Sequence, residues 1–164
     1  MNSRAFLILP IVIAVVLVFL RSVEAGDNRA SQILTPELAQ QLLGPPVEPA
    51  AKNAEPDTKS EKTRLSFASY SMKGGDFNAP RLSLMIRQAG SKEEAQQIFL
   101  SSKKTYSGVD VAGLGELAYR VAAPAQLNVL KGADWLIISA GSFKTPDPAM
   151  QEKAAREILK KLAP

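Results

Sequence analysis

The stretch of sequence that decides the fold is Gly113–Gly141, GLGELAYRVAAPAQLNVLKGADWLIISAG. Near its start, Leu117, Tyr119 and Val121 alternate with other side chains, which is the period-two pattern of a half-buried strand. Pro124 interrupts this pattern, because proline lacks the N–H group that a strand ladder uses. The stretch therefore begins with one strand that ends before Pro124.

Two more strands follow within the same stretch. Leu127 and Val129 resume the alternation, and Lys131–Asp134 supplies turn residues. Trp135–Ala140 is a continuous apolar run, and a strand that is apolar on both sides belongs at the centre of a sheet, with packing on each face. Trp135 is the sole tryptophan, and the apolar run around it favours a core position over a role in stacking a ligand.

The rest of the chain supplies further elements, each indicated by its hydrophobic period and its capping residues. They are a helix at 35–43, a strand from Thr63 to about Met72, a return strand through Leu82–Arg87, a helix that begins at the Ser91 capping box and stops at Gly108, and a helix that begins at Asp147. The order α-β-β-α-β-β-β-α predicts an α+β domain with a mainly antiparallel five-stranded sheet and helices on both faces.

Residues 1–25 are predicted to be a signal peptide or a membrane anchor that forms a hydrophobic helix. Residues 5–20 are uncharged and follow Arg4, and small residues precede a candidate cleavage site after Ala25. This apolar segment is long for a signal peptide and short for a spanning helix of about 17–25 residues, so cleavage and anchoring both remain open. We therefore expect the domain outside the cytoplasm, periplasmic or secreted, with an inner-membrane anchor as the alternative.

The remaining boundaries follow from composition. Residues 26–33 are predicted to be a polar connector and residues 34–164 a single α+β domain. Within that domain, the segment 44–62 is rich in proline and charged residues and carries little apolar surface to bury. We therefore predict a mobile proline-rich loop at 44–62.

Composition also excludes several chemistries. The net charge of +4 is spread along the chain, without the clustered Lys and Arg and the stacking aromatics typical of a nucleic-acid binder. The chain has no His and no Cys, which excludes a Ser-His-Asp triad, a cysteine nucleophile and imidazole or thiolate metal sites. Ser101 and Lys104 match the Ser-x-x-Lys spacing of penicillin-binding enzymes, but the companion motifs are absent. We predict that the protein is not an enzyme and needs no cofactor.

The loop at 108–115 gives the candidate site. Asp110, Gly113, Gly115 and Glu116 lie in or beside it and are the candidate residues of a binding rim. A structural role of the loop is favoured over a binding role, because glycines supply the positive φ angles that a tight loop needs. Together with Asp76, the two acids would also suit a hard cation such as calcium, although their spacing matches no known calcium loop.

Three short motifs carry a family resemblance. The Leu-Leu-Gly end of the first helix (42–44), Gly113–Tyr119 and Leu127–Gly132 with the aliphatic strand after it resemble small secreted bacterial domains of unknown function. Many members are lipoproteins with a sheet sandwiched by helices, similar to the PsbP/Mog1-like fold. The resemblance covers about residues 33–162. This chain departs from it by lacking a lipobox cysteine and by having Glu116 where Asp is common.

The resemblance implies a non-catalytic extracytoplasmic binding or accessory role. The alternative is a single-span accessory subunit of a membrane protein complex, held in the membrane by residues 5–20. An unrecognised hydrolase is the third hypothesis. The expected partner is another protein. For the single-span subunit, that partner would belong to a membrane complex. No nucleic-acid partner is expected.

Overall fold

A computed structural model describes residues 28–44, 46–59, 63–76 and 78–162. The helices are α1 (Arg29–Ile33), α2 (Pro36–Leu43), α3 (Lys92–Thr105) and α4 (Pro148–Lys161), with a 3-10 helix at Ala51–Ala54. The strands are β1 (Val47–Pro49), β2 (Thr58–Lys59), β3 (Thr63–Met72), β4 (Arg81–Ala89), β5 (Val109–Asp110), β6 (Leu117–Val121), β7 (Gln126–Lys131) and β8 (Asp134–Gly141).

The strands form one antiparallel sheet in the order β1-β3-β4-β8-β7-β6-β5, with β2 also paired to β3. The predicted central position of Trp135–Ala140 is confirmed, because β8 lies between β4 and β7. The α+β class and the antiparallel sheet are also confirmed.

Helices pack on both faces of the sheet. On one face, which we call the closed face, α1, α2 and α4 cover a continuous apolar core that includes Leu136 and Ile138. On the opposite face, which we call the α3 face, α3 packs alone, with Phe99 against Tyr119 and Trp135. Successive residues of a strand point to opposite faces of the sheet, so β8 contributes side chains to the cores on both faces.

The predicted strand count is wrong, because the described residues form a sheet of eight strands instead of five. The additional strands β1, β2 and β5 are two or three residues long. Such short strands are below the four to eight residues over which an alternating pattern can be recognised. The connector assigned to 26–33 is also corrected, since α1 lies within it and buries Ala30 and Ile33.

The segment 44–62 contains β1, the 3-10 helix and β2 where the sequence predicts a loop. Polar side chains hold it to the sheet. Asn53 Nδ2 donates to the Ser69 carbonyl at 2.9 Å, and the Ser69 N–H donates to Asn53 Oδ1 at 2.8 Å. Asn28 Nδ2 donates to the carbonyls of Glu55 at 2.9 Å and Phe67 at 3.0 Å. These bonds pair backbone groups of the segment and the sheet with polar side chains. Because such pairing needs no apolar periodicity, the composition of the segment gives no sign of it.

The predicted hydrophobic helix at 1–25 lies outside the described residues. Within the part of the chain that the structure describes, no helix combines the length and the apolar character needed to span a membrane.

Candidate ligand-binding cleft

The two acids of the predicted rim are each engaged by a lysine of α3. Asp110 accepts from Lys103 Nζ with both carboxylate oxygens, at 2.6 and 2.7 Å. Glu116 pairs with Lys92 at 3.0 Å and also accepts the Gly132 N–H at 3.1 Å. The pKa of Glu116 is lowered below its ordinary value, mainly by the hydrogen bond with the Lys92 ammonium and next by the one from the Gly132 amide.

The rim residues do not converge on one point. Lys92 and Lys103 lie at opposite ends of α3, about 16 Å apart at roughly 1.5 Å per residue, so the two acids anchor the two ends of the helix. Gly113 and Gly115 have φ angles of +74° and +57°. A Cβ atom on Gly115 would come within 2.5 Å of the Leu130 carbonyl oxygen. These contacts favour the structural alternative, and a binding role for the rim remains a prediction.

A second candidate lies under α3, around Trp135. Phe99 of α3 meets Tyr119 at 4.7 Å and Trp135 at 6.0 Å between ring centroids, both edge to face. Trp135 is 7% exposed, so the predicted core position is consistent with its burial. The Tyr119 hydroxyl donates to Ser102 Oγ at 3.0 Å, and burial raises the pKa of Tyr119 while this hydrogen bond opposes the rise.

Asn128 lies beside Trp135 and fixes the indole ring. Trp135 Nε1 donates to Asn128 Oδ1 at 2.9 Å. Because an indole nitrogen can only donate, the amide oxygen of Asn128 must face it and the amide nitrogen must point elsewhere. That nitrogen, Nδ2, is buried and has no hydrogen-bond partner among the described residues.

Arg87 of β4 lies on the other side of the same indole. Its guanidinium carbon is 5.6 Å from the centroid of the Trp135 ring, which is the geometry of a cation–π contact. Its Nε atom is buried and likewise has no hydrogen-bond partner within the described ranges. Trp135 is therefore flanked by two buried donors that lack acceptors.

Open space adjoins these groups. A groove of about 460 Å³ runs between α3 and the sheet, lined by Arg87, Gln97, Ile98, Ser101, Ser102, Thr105, Tyr106 and Trp135. A more enclosed cavity of about 150 Å³ adjoins it, lined by Ser102, Tyr106, Tyr119, Val121, Pro124, Gln126, Asn128, Trp135 and Ile137. Three residues line both, so we treat groove and cavity as one cleft, called here the Trp135 cleft.

The Trp135 cleft is lined mainly by uncharged side chains. Its lining offers hydroxyls, amides, one guanidinium and aromatic rings, and no carboxylate. Ser101 lines the groove, and its carbonyl accepts from Thr105 Oγ1 at 3.0 Å, as in any helix surface of this composition. Over the described residues, no three acids lie close enough to hold a metal ion.

Sequence reasoning missed Arg87 and Asn128, which the fold places on either side of Trp135. One signal was available. Asn128 is the polar residue between Leu127 and Val129, and its side chain lies on the same side of the strand as Gln126 and Leu130. Arg87 carried no signal, because its position beside Trp135 depends on the pairing of β4 with β8.

Comparisons with protein-family models, curated proteins and solved structures give no match to this chain.

Proposed function

We propose that this protein is a non-catalytic binding or accessory domain that acts outside the cytoplasm, with the Trp135 cleft as its ligand site. The observation that carries the proposal is the pair of buried donors, Arg87 Nε and Asn128 Nδ2, on either side of Trp135. A buried donor without an acceptor costs about 1–3 kcal/mol, and folded proteins keep few of them.

The two donors cannot satisfy each other. Among the described residues, two other buried side-chain atoms lack a hydrogen-bond partner. They are Arg120 Nε, a donor, and Gln151 Oε1, an acceptor, so the two are complementary in kind. Arg87 Nε and Asn128 Nδ2 are both donors, so no rearrangement between them can pair both. Both atoms are shielded from solvent in this structure, so a ligand with carbonyl or carboxylate oxygens would satisfy them once the side chains around them move.

The size of the cleft limits the group that enters it. The enclosed cavity of about 150 Å³ suits a compact group of a few atoms, and the open groove beside it gives the approach. Tyr106 is 55% exposed and lines both spaces, so its ring can move aside without breaking the core. A partner protein can present such a group as the end of an acidic or amide side chain.

Fluorescence can test this proposal directly, because Trp135 is the sole tryptophan of the chain. We expect acetate and acetamide to change its emission saturably, with dissociation constants on the order of millimolar for so few atoms. The change should disappear in Arg87→Met. Emission that stays constant, or that changes equally in Arg87→Met, would contradict a ligand site at Trp135.

The compartment needs a separate experiment. Because residues 5–20 are uncharged and follow Arg4, a reporter fused to residues 1–35 should be exported. Cytoplasmic reporter activity would refute the extracytoplasmic assignment. The mature amino terminus, read by mass spectrometry, distinguishes a released domain that starts at Gly26 from the anchored accessory subunit that retains Met1.

A further inference from the structure

The two parts of the Trp135 cleft, the open groove and the more enclosed cavity, differ in charge. Arg87 is the one charged residue in the lining of the groove, and the lining of the cavity has none. Among the described residues Arg87 forms no ion pair, and its guanidinium faces the Trp135 ring instead. A negatively charged group is therefore favoured in the groove, whereas in the cavity it would meet no cation.

The cavity has the features of a site for a small neutral carbonyl group. Tyr119, Val121 and Ile137 give it apolar walls, and Asn128 lies in the same lining. Because Asn128 Oδ1 accepts from Trp135, the side chain offers only Nδ2, which is a donor. A carboxylate would lose its hydration here without meeting a positive charge, at a much higher cost than a neutral carbonyl group. The volume of about 150 Å³ has room for a group of the size of an acetyl group.

A ligand can reach both parts from the groove, because Ser102, Tyr106 and Trp135 line the groove and the cavity alike. Asn128 Nδ2 is shielded from solvent in the structure, so a side chain must move before a ligand contacts it. Tyr106 is the side chain best placed to move, since it caps the carboxyl end of α3 and is 55% exposed. Displacement of its ring would join the two parts into one continuous space.

Arg87 and Asn128 are close enough for one small molecule to contact both. β8 lies between their strands, with Trp135 paired to Arg87 and Ile137 paired to Asn128. Their Cα atoms are thus about 12 Å apart, at roughly 4.8 Å per strand and 3.3 Å per residue. Both side chains extend toward Trp135, with the guanidinium carbon 5.6 Å from the ring centroid and Asn128 Oδ1 2.9 Å from Nε1. With a hydrogen bond of about 2.9 Å at each end, two acceptor groups a few bonds apart can span the gap.

We propose that the Trp135 cleft binds a free N-acetylated amino acid, with the acetyl carbonyl on Asn128 Nδ2 in the cavity and the carboxylate on Arg87 in the groove. This proposal rests on the proposed function, because it names the ligand of the same site. The acetyl group ends in a methyl group, which the apolar walls of the cavity enclose. A polypeptide chain in the same place would have to continue into those walls, whereas the side chain of a free amino acid extends along the open groove.

Fluorescence of Trp135 in the full chain tests the ligand class with three probes, namely acetate, N-acetylglycinamide and N-acetylglycine. N-acetylglycine carries both groups and should bind roughly tenfold or more tightly than either of the others, because its carbonyl and its carboxylate bind as one molecule. An affinity for N-acetylglycine no higher than that for acetate or for N-acetylglycinamide would overturn this proposal and leave the proposed ligand site in place. A chain that responds to none of the three would contradict both.

A fourth probe separates a free ligand from the carboxyl end of a partner protein. N-acetyl-triglycine has the same terminal carboxylate with a carbonyl beside it, but its chain continues where N-acetylglycine has a methyl group. It should bind no more tightly than acetate, because the cavity leaves no room for the rest of the chain. An affinity as high as that of N-acetylglycine would assign the site to polypeptide carboxyl ends and refute the proposal of a free ligand.

Asn128→Asp tests the contact in the cavity. Aspartate keeps an oxygen for Trp135 Nε1 and places a second oxygen at the position of Nδ2, so at pH 7 the acetyl carbonyl would face an acceptor instead of a donor. N-acetylglycine should bind roughly tenfold or more weakly, the effect of losing a buried hydrogen bond. Asn78→Asp makes the same change at an exposed position before β4 and should leave binding unchanged. Unchanged binding in a folded Asn128→Asp variant would contradict the proposal, and if that variant does not fold the comparison of probes decides alone.

Discussion

The two faces of the sheet differ in how completely helices cover them. On the closed face, large side chains such as Leu82, Leu136 and Ile138 are fully buried beneath three helices. On the α3 face one helix covers only part of the sheet, and Leu65 and Met85 remain 38% and 36% exposed. One face has been filled for stability, whereas the other keeps open space and hydroxyl groups beside Trp135.

The contrast shows where function is to be sought in this domain. A close-packed face offers little to a ligand, because its atoms are already in contact with one another. The α3 face holds the Trp135 cleft. Substitutions that separate stability from binding can therefore distinguish the two faces.

The largest expected effect comes from Trp135→Ala. It should lower the free energy of unfolding by roughly 3–5 kcal/mol, as truncation of a buried aromatic does, and should also abolish ligand binding. Ile138→Ala, on the same strand but facing the closed side, should cost a comparable 2–5 kcal/mol and leave binding intact. Denaturant unfolding measures the free energy of unfolding of each variant, and a binding titration measures its affinity for the ligand. Loss of binding in a folded Ile138→Ala variant would remove the distinction between the faces.

A somewhat smaller effect is expected from Arg64→Met. Arg64 Nε pairs with Asp57 Oδ2 at 2.6 Å, and the Asp57 side chain is only 2% exposed. Removal of the arginine leaves a buried carboxylate without this partner, which should cost about 2 kcal/mol after allowance for the exposure of Arg64 itself. Urea unfolding measures the loss. Unchanged stability would show that this pair contributes nothing to the fold.

The pairing of Glu116 with Lys92 predicts a small, pH-dependent effect. Its pKa is lowered in the folded state, so its contribution is present above the unfolded pKa of about 4.3 and is lost as the pH falls through the lower folded value. Glu116→Gln should therefore cost about 0.5 kcal/mol at pH 7. Thermal unfolding of both proteins across pH 2–7 checks this, and a difference that persists at the acid end would contradict it.

The smallest effects on stability are expected at two exposed positions of α3. Ser101→Ala and Lys104→Ala should each stay within about 0.5 kcal/mol of the wild type, because both side chains are exposed. Lys104→Ala should also leave binding in the Trp135 cleft unchanged, whereas Ser101 lines the groove of that cleft, so Ser101→Ala is compared on stability alone. Loss of biological function in a Lys104→Ala variant that still folds and still binds in the cleft would favour the hydrolase hypothesis over a binding domain.

The sequence was most informative where a pattern repeats over several residues. The strands β3, β4, β6, β7 and β8 and the helices α2, α3 and α4 all follow from periodicity and caps. The short elements α1, β1, β2 and β5 do not, because each is only two to five residues long, which is too short for a clear repeating pattern.

The residues of the Trp135 cleft were harder to predict from the sequence than the fold. The glycine loop that suggested a rim ties Asp110 and Glu116 to α3, whereas the unsatisfied donors come from β4 and β7. Arg87 and Asn128 meet Trp135 only after β8 pairs with both strands, and no local spacing encodes that arrangement.

The most direct test of the functional account is the stability and ligand response of Arg87→Met. Methionine keeps much of the apolar stem against Trp135 and removes a buried donor without a partner in the described structure, so the account predicts an unfolding free energy equal to or up to about 1 kcal/mol above that of the wild type. The response of Trp135 fluorescence to acetate should vanish in the same variant. A clearly destabilised protein, or one that still responds to acetate, would contradict the claim that the α3 face keeps Arg87 for a ligand.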